Sequence, residues 1–435
     1  MYATVSSAAL LMGAPALAQT TQSSEIDQIG SMNIADVEQS GNENVSDVDQ
    51  NGDGNLAEVT QTEDPTGSNT FSVPSNSATI KQEGNNSRAR IEQNSTNPGS
   101  NPGNTAVINQ NSESPDGNTV PSGYALNGRI IQDGASNRSQ IDQLGMDTGD
   151  GTDAGSGVTA RTEQYGTGNQ SDVLQDVRND TANPFSQTLI VQNGDTNKSE
   201  ATQRGSDDFT SVTQENTGNE SKVLQGAEPS MSATVLQNGD DNVSDIEQRD
   251  REVTASVTQS GQAGYSRVFQ TDDALGSTAT LVQGADTNNA SSTINQYNTS
   301  STAFVEQVSG NAMSTVQQND GMGANANVYQ EGGMGLVSMV TQSGDNQIAD
   351  VDQFGDTSSS TITQENGDGT GGNNAKVLQD GWDNESLIMQ SGTENMADVS
   401  QSSQGNYSFV NQAGSNNSAT VNQTGGMSNT GGTAQ

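Results

Sequence analysis

One spacing dominates the chain from its first clear repeats. Gln28, Gln39, Gln50 and Gln61 stand 11 residues apart, Gly30, Gly41 and Gly52 follow two residues after a Gln, and Asn33, Asn44 and Asn55 follow five after. Between one Gln and the next the pattern reads Q-x-G-x-x-N-x-[AS]-x-[VI]-x-Q. Asn33, Ala35, Val37 and Gln39 therefore alternate with Ile34, Asp36 and Glu38. A period of two is a strand signal, and the Gly after each Gln supplies a turn. A helix cannot keep those positions on one side, because its 3.6-residue turn spreads them around the axis. Each unit is read as a short strand followed by an arc.

The unit recurs to Gln423, roughly 32 times, which is the mark of a repeat array. Gln237, Gln248, Gln379, Gln390, Gln401 and Gln412 close later copies. The position two before each Gln is almost always Val, Ile or Leu, and the position four before is almost always Ala or Ser. Small, aliphatic and amide side chains on one face fit a very thin core between two closely facing sheets, in which the Gln and Asn amides of successive coils are expected to stack into side-chain ladders. The expected fold is all-β, a β-solenoid of stacked strand-arc-strand coils with two facing parallel sheets, cross-β-like in its spacing.

Composition narrows the function. Only 28% of the residues are hydrophobic and 3% aromatic, and the net charge is −40. Such values by themselves suit a disordered chain, but a disordered chain has no reason to keep an aliphatic residue at one offset. The acidity disfavours nucleic acid as a partner. Without Cys or His, disulfide staples, thiolate metal sites and the commonest general base are missing. The abundant carboxylates sit in no recognisable pocket motif, so no enzyme activity, cofactor or metal site is expected.

Residues 1–18 read as a secretory signal peptide, with an apolar run ending in Ala16-Leu17-Ala18 but without a basic start. No later segment is long and apolar enough to span a bilayer. Residues 19–230 hold repeats broken by insertions, and the eight prolines after the leader, Pro65 to Pro229, all fall between units, where no ladder donor is needed. Residues 231–423 keep a steadier spacing and should form the more regular half. Residues 424–435 are expected as a flexible tail.

On the outer face, the residue just before Gln is apolar in some pairs of units and polar in the next. Leu174, Leu224, Leu236 and Phe269 are examples, and they nominate a lateral contact stripe unless they merely reflect duplication of a four-unit cassette. Outward acids such as Asp36, Glu38, Asp47 and Asp49 should repel one another on stacked coils. Tyr165, Tyr297, Phe354 and Trp382 fall just after a Gln and are read as packing at arcs. Runs such as Asn51-Gly52-Asp53-Gly54-Asn55 suggest a calcium-binding β-roll as a rival, although its nine-residue period is not the one seen here.

The unit resembles the repeat of curlins, the subunits of bacterial curli amyloid fibres. It is complete at Gln28-Gly30-Asn33-Ala35-Gln39, Gln50-Gly52-Asn55-Ala57-Gln61, Gln390-Gly392-Asn395-Ala397-Gln401 and Gln412-Gly414-Asn417-Ala419-Gln423. The resemblance implies a secreted structural subunit that polymerises with itself outside the cell into adhesive fibres of a biofilm matrix. It also implies export through an outer-membrane curli secretion pore and seeding by a curlin nucleator. The alternative is a monomeric acidic β-solenoid adhesin at the cell surface.

Overall fold

The computed structural model describes residues 22–41, 43–63, 76–95, 103–113, 125–146, 157–177, 185–271, 273–366, 371–427 and 429–434. Every regular element among them is a β-strand, 33 in all from Ser23–Ile29 to Thr430–Ala434. The strands lie in two facing parallel sheets stacked as a solenoid, and the chain alternates between the sheets from one strand to the next. The expected leader and seven of the eight later prolines lie outside the described residues; Pro229 sits in an arc.

Two compact units divide at Gly218 and Asn219, earlier than the change in spacing near residue 230. In the first unit Ser23–Ile29 pairs with Val45–Asn51, and Ile34–Ser40 pairs with Leu56–Glu63, each in exact parallel register with Gln opposite Gln. Insertions do not disturb that register. Gln93 meets Gln132 across a span of 39 residues and still aligns Ile91 with Ile130. A slip of one residue would turn every core side chain to water, so the pattern fixes the pairing more firmly than loop length does.

The core is one rung thick. Asn55, Ala57, Val59 and Gln61 are buried while Leu56, Glu58 and Thr60 point outward, and the same alternation runs through both units. Opposing strands face each other so that the Gln of one lies over the small residue of the other. At Gly128, which takes that small position, an added Cβ would come within 2.9 Å of Ile108 and 3.4 Å of both Gln110 and Gln143. Close packing therefore dictates the Ala or Ser of the motif.

In the second unit the two small residues separate completely. Ser221, Ser244, Ser266, Ser292, Ser314, Ser338, Ser360, Ser386 and Ser408 stack in one sheet. Ala233, Ala255, Ala279, Ala303, Ala326, Ala349, Ala375, Ala397 and Ala419 stack in the other. We call these the serine sheet and the alanine sheet. The C-terminal segment is a correction to the expected tail, since Thr430–Ala434 forms a strand that pairs with Tyr407–Ser415 in the serine sheet.

Candidate functional site: the amide ladders

A buried Gln at every rung must satisfy two amide hydrogens and a carbonyl oxygen, or its burial is costly. Stacking supplies the first partner. Gln28, Gln39, Gln50 and Gln61 donate through Nε2 to Oε1 of the next Gln in their own sheet, at 2.5 to 2.9 Å. Gln237, Gln248, Gln379, Gln390 and Gln401 do the same at 2.8 to 3.0 Å, ending on Gln412 and Gln423.

The second hydrogen crosses the core. Gln61 Nε2 also donates to the Val45 carbonyl at 3.0 Å, and Gln401 Nε2 to the Glu385 carbonyl at 3.0 Å, each on the opposite sheet. Gln412 and Gln423 make the same crossing to Met396 and Tyr407. A carbonyl accepts only from the NH2 end, so this bond fixes which way every amide points. The ladders are therefore polar, with donors directed along the chain from its N-terminal coils to its C-terminal ones. Sequence reasoning foresaw the stack but not the crossing bond, whose signal is a separation of 16 residues: one 11-residue unit plus a five-residue reach.

Asparagine behaves differently from the expected side-chain ladder, and this is a correction. Asn33 Nδ2 donates to the Gly52 carbonyl at 2.7 Å while its Oδ1 accepts from the Asn55 backbone N–H at 2.9 Å. Asn55 repeats both bonds with Gly84 and Ser87, and Asn44 Nδ2 holds the Ser40 carbonyl at 3.0 Å. The shorter side chain gives most of its bonds to backbone groups, so it ties the arcs to one another through their backbone. Direct Asn-to-Asn bonds occur in places, as from Asn395 to Asn373 at 3.0 Å.

Gly30, Gly41, Gly52, Gly392 and Gly414 all take positive φ, between 105° and 128°. At Gly30 an added Cβ would lie 1.9 Å from the Gly52 carbonyl oxygen, and at Gly392 2.0 Å from that of Gly414. Coils this close leave room for hydrogen alone at that corner.

Comparison with protein families matches the curlin associated repeat at residues 33–62, 339–365, 371–402 and 392–425. The chain is a curlin-repeat protein. Its repeats and parallel two-sheet fold fit a curli-like structural subunit, a family that is structural rather than enzymatic. No curated protein matches the chain.

The arcs of this curlin-repeat protein give its acids a role that the calcium reading did not consider. Asp53 accepts from the backbone N–H and hydroxyl of Ser31 at 2.6 and 2.7 Å, which holds its carboxyl below the ordinary range. Asp195, Asp345 and Asp356 accept in the same way from Thr167, Met322 and Met334. These carboxylates close arc N–H groups on the neighbouring coil. They were legible only as Asp following Gly.

Outward carboxyls respond to crowding. Asp47 is raised by burial and then by Asp49 and Glu25, the last of which stacks directly on it. Asp245 and Asp352 are also raised, burial first. These three lie on different strands, and among the described residues no cluster of acids fit to hold a metal is found.

Leu174, Leu224, Leu236 and Phe269 point outward but are half-buried. Leu224 and Phe269 flank Glu247 in the serine sheet, whereas Leu236 and Val282 flank Thr258 in the alanine sheet. Tyr297 and Phe354 lie at strand ends rather than in open arcs, where they pack against Phe269 and Tyr329 at 5.8 and 5.7 Å between centroids. Tyr165 also falls inside a strand, and Trp382 at a strand end is 57% exposed.

Proposed function

We propose that this curlin-repeat protein is a secreted structural subunit that adds end-on to other copies of itself to build an extracellular, adhesive, curli-like amyloid fibre. The single observation that supports this is the sameness of the rungs. Any coil offers the next one the same backbone edge, the same Gln donor or acceptor and the same inward aliphatic residue, in one register and one polarity. An edge of that kind is as complementary to another molecule as to its own neighbour. Gln28 and Ile26 on the first described strand are exposed, unlike their equivalents deeper in the stack.

Export of the chain unfolded through an outer-membrane pore, seeding by a curlin nucleator and a place in the biofilm matrix belong to the same proposal. Purified chain lacking residues 1–18 should polymerise after a lag that preformed fibres abolish. Aligned fibres should diffract at about 4.7–4.8 Å along their axis and about 10 Å across it. A chain that stays monomeric when seeded, yet still adheres to surfaces, would instead support a solitary acidic adhesin.

A further inference from the structure

The outer surface of the serine sheet loses its charge in the second unit. Six successive strands, Ser291–Thr299, Met313–Met322, Val337–Ser343, Ser359–Glu365, Glu385–Thr393 and Tyr407–Ser415, each present three outward side chains ahead of the buried Gln. Glu385 is the only charged one among those eighteen. The alanine-sheet strands that alternate with them carry Glu306, Asp350, Asp352, Lys376 and Asp398 at the equivalent positions. This is the longest run with no more than one charge at these positions within either unit, and its first four strands are the longest wholly uncharged one. The alanine sheet has a wholly uncharged run of three strands, Ser232–Gln237, Thr254–Gln259 and Thr278–Gln283, which reaches five strands with Glu306 as its single charge.

The panel is also apolar in patches. Met313, Val337, Met339 and Met389 are 36 to 52% exposed, Leu387 and Phe409 are half-buried beside them, and the remainder is chiefly Ser, Thr, Asn and Gln. With strands about 4.8 Å apart and about 20 Å of strand length in use, its area is roughly 500 Å². Two such panels would bury about 1,000 Å², the lower bound for a specific interface.

We infer that this panel packs against the same panel of a second copy, the two related by a two-fold axis lying between them. Two arguments choose that occupant. Copies of a chain with net charge −40 repel one another wherever acidic faces meet, so an uncharged face is where they can approach. In addition, rows of side chains repeating at the strand spacing interdigitate with rows of the same spacing, as sheets do when stacked about 10 Å apart. Leu224 and Phe269 lie outside the panel, among Lys222, Asp245, Glu247 and Arg267, so the stripe expected from sequence moves further along the chain. Pairing is side by side and goes beyond end-on growth; either can fail while the other holds.

The test uses the full chain. Met339→Asp with Leu387→Asp places charge in the panel without touching the core, and Asn327→Asp with Ser400→Asp places the same charge on the alanine sheet. By sedimentation, the panel variant should associate roughly ten-fold or more weakly than the natural chain, and its fibres should lie singly in electron micrographs. The alanine-sheet variant should pair like the natural chain. Because the chain has no Cys, Thr361→Cys and Asn327→Cys each give a single thiol, and a short bismaleimide should join copies at 361 but not at 327. Undiminished pairing of the panel variant, equal loss in both variants, a natural chain that never pairs, or cross-linking only at 327 would each overturn the inference.

Discussion

The serine and alanine sheets of the second unit are built from the same strand and differ in two respects. Inward, one stacks Ser at the small position and the other Ala; outward, one is nearly free of charge over six strands and the other is not. What they share is the Gln ladder, the same in both. The contrast separates what the coil requires from what it tolerates. The amide is required, because each Gln joins two rungs and both sheets. A hydroxyl is tolerated, since Ser314, Ser338, Ser360, Ser386 and Ser408 are buried without a hydrogen-bond partner for Oγ.

The largest effect should come from the ladder and should be blind to the sheet. Gln318→Ala in the serine sheet strands the amide of Gln296, the oxygen of Gln342 and the carbonyl of Thr302. Gln330→Ala in the alanine sheet does the same to Gln307, Gln353 and Met313. Each should lose on the order of 3 kcal/mol or more in urea denaturation. A near-neutral result in one sheet would make the ladder unequal.

A middle-sized effect should tell the sheets apart. Ala349→Ser puts a hydroxyl into the alanine sheet and should cost about 1 kcal/mol, whereas Ser360→Ala removes an unpartnered one and should be neutral or stabilising by up to about 1 kcal/mol. Enlarging either residue to Leu should cost about 1–3 kcal/mol, because the opposing Gln leaves no space. If Ser360→Ala destabilised as much as Ala349→Ser, the hydroxyl would have a partner and the contrast would fail.

The smallest effect concerns the charged outer face. Asp352 in the alanine sheet has its carboxyl raised by burial and by Asp350, with Lys376 pulling the other way. A carboxyl that binds its proton more tightly when folded penalises the fold at neutral pH. The penalty fades as pH falls through its folded value toward the ordinary 3.8. Mild acidification from neutrality should therefore raise the denaturation midpoint slightly, and Asp352→Asn should both raise it at pH 7 and flatten that response. The Asp47 and Asp245 carboxyls, also raised, act in the same direction.

Fibre growth should follow the same sign. Salt or mild acid should shorten the lag seen by thioflavin fluorescence, because Asp27 stacks on Asp49 and Asp36 on Glu58. Equal lags across those conditions would remove repulsion as a brake on assembly.

Much of the fold was legible because the pattern is local. A strand with Asn, a small residue, an aliphatic one and Gln on one side declares its inward face within seven residues, and Gly30 or Gly392 declares the corner that follows a Gln. The candidate ladder could be read for Gln because a constant long amide at a constant offset must stack. It could not be read for Asn44, which bonds a backbone group of its own arc, or for Asn55, whose partners are backbone groups of another arc. The strand Thr430–Ala434 escaped notice because Gly431 and Thr433 take the places that Ser408 and Val410 hold on its neighbour.

The sequence by itself determined the strand, its buried side and its rung, since a two-residue alternation and a fixed amide leave one way to turn the chain. Only the tertiary structure decided which strands share a sheet. That choice rests on stacking between residues 22 to 39 positions apart. From it follow the separation of Ser from Ala, the crossing bond of each Gln and the gathering of uncharged strands into one panel, for all three depend on which coil lies above and which sheet lies opposite.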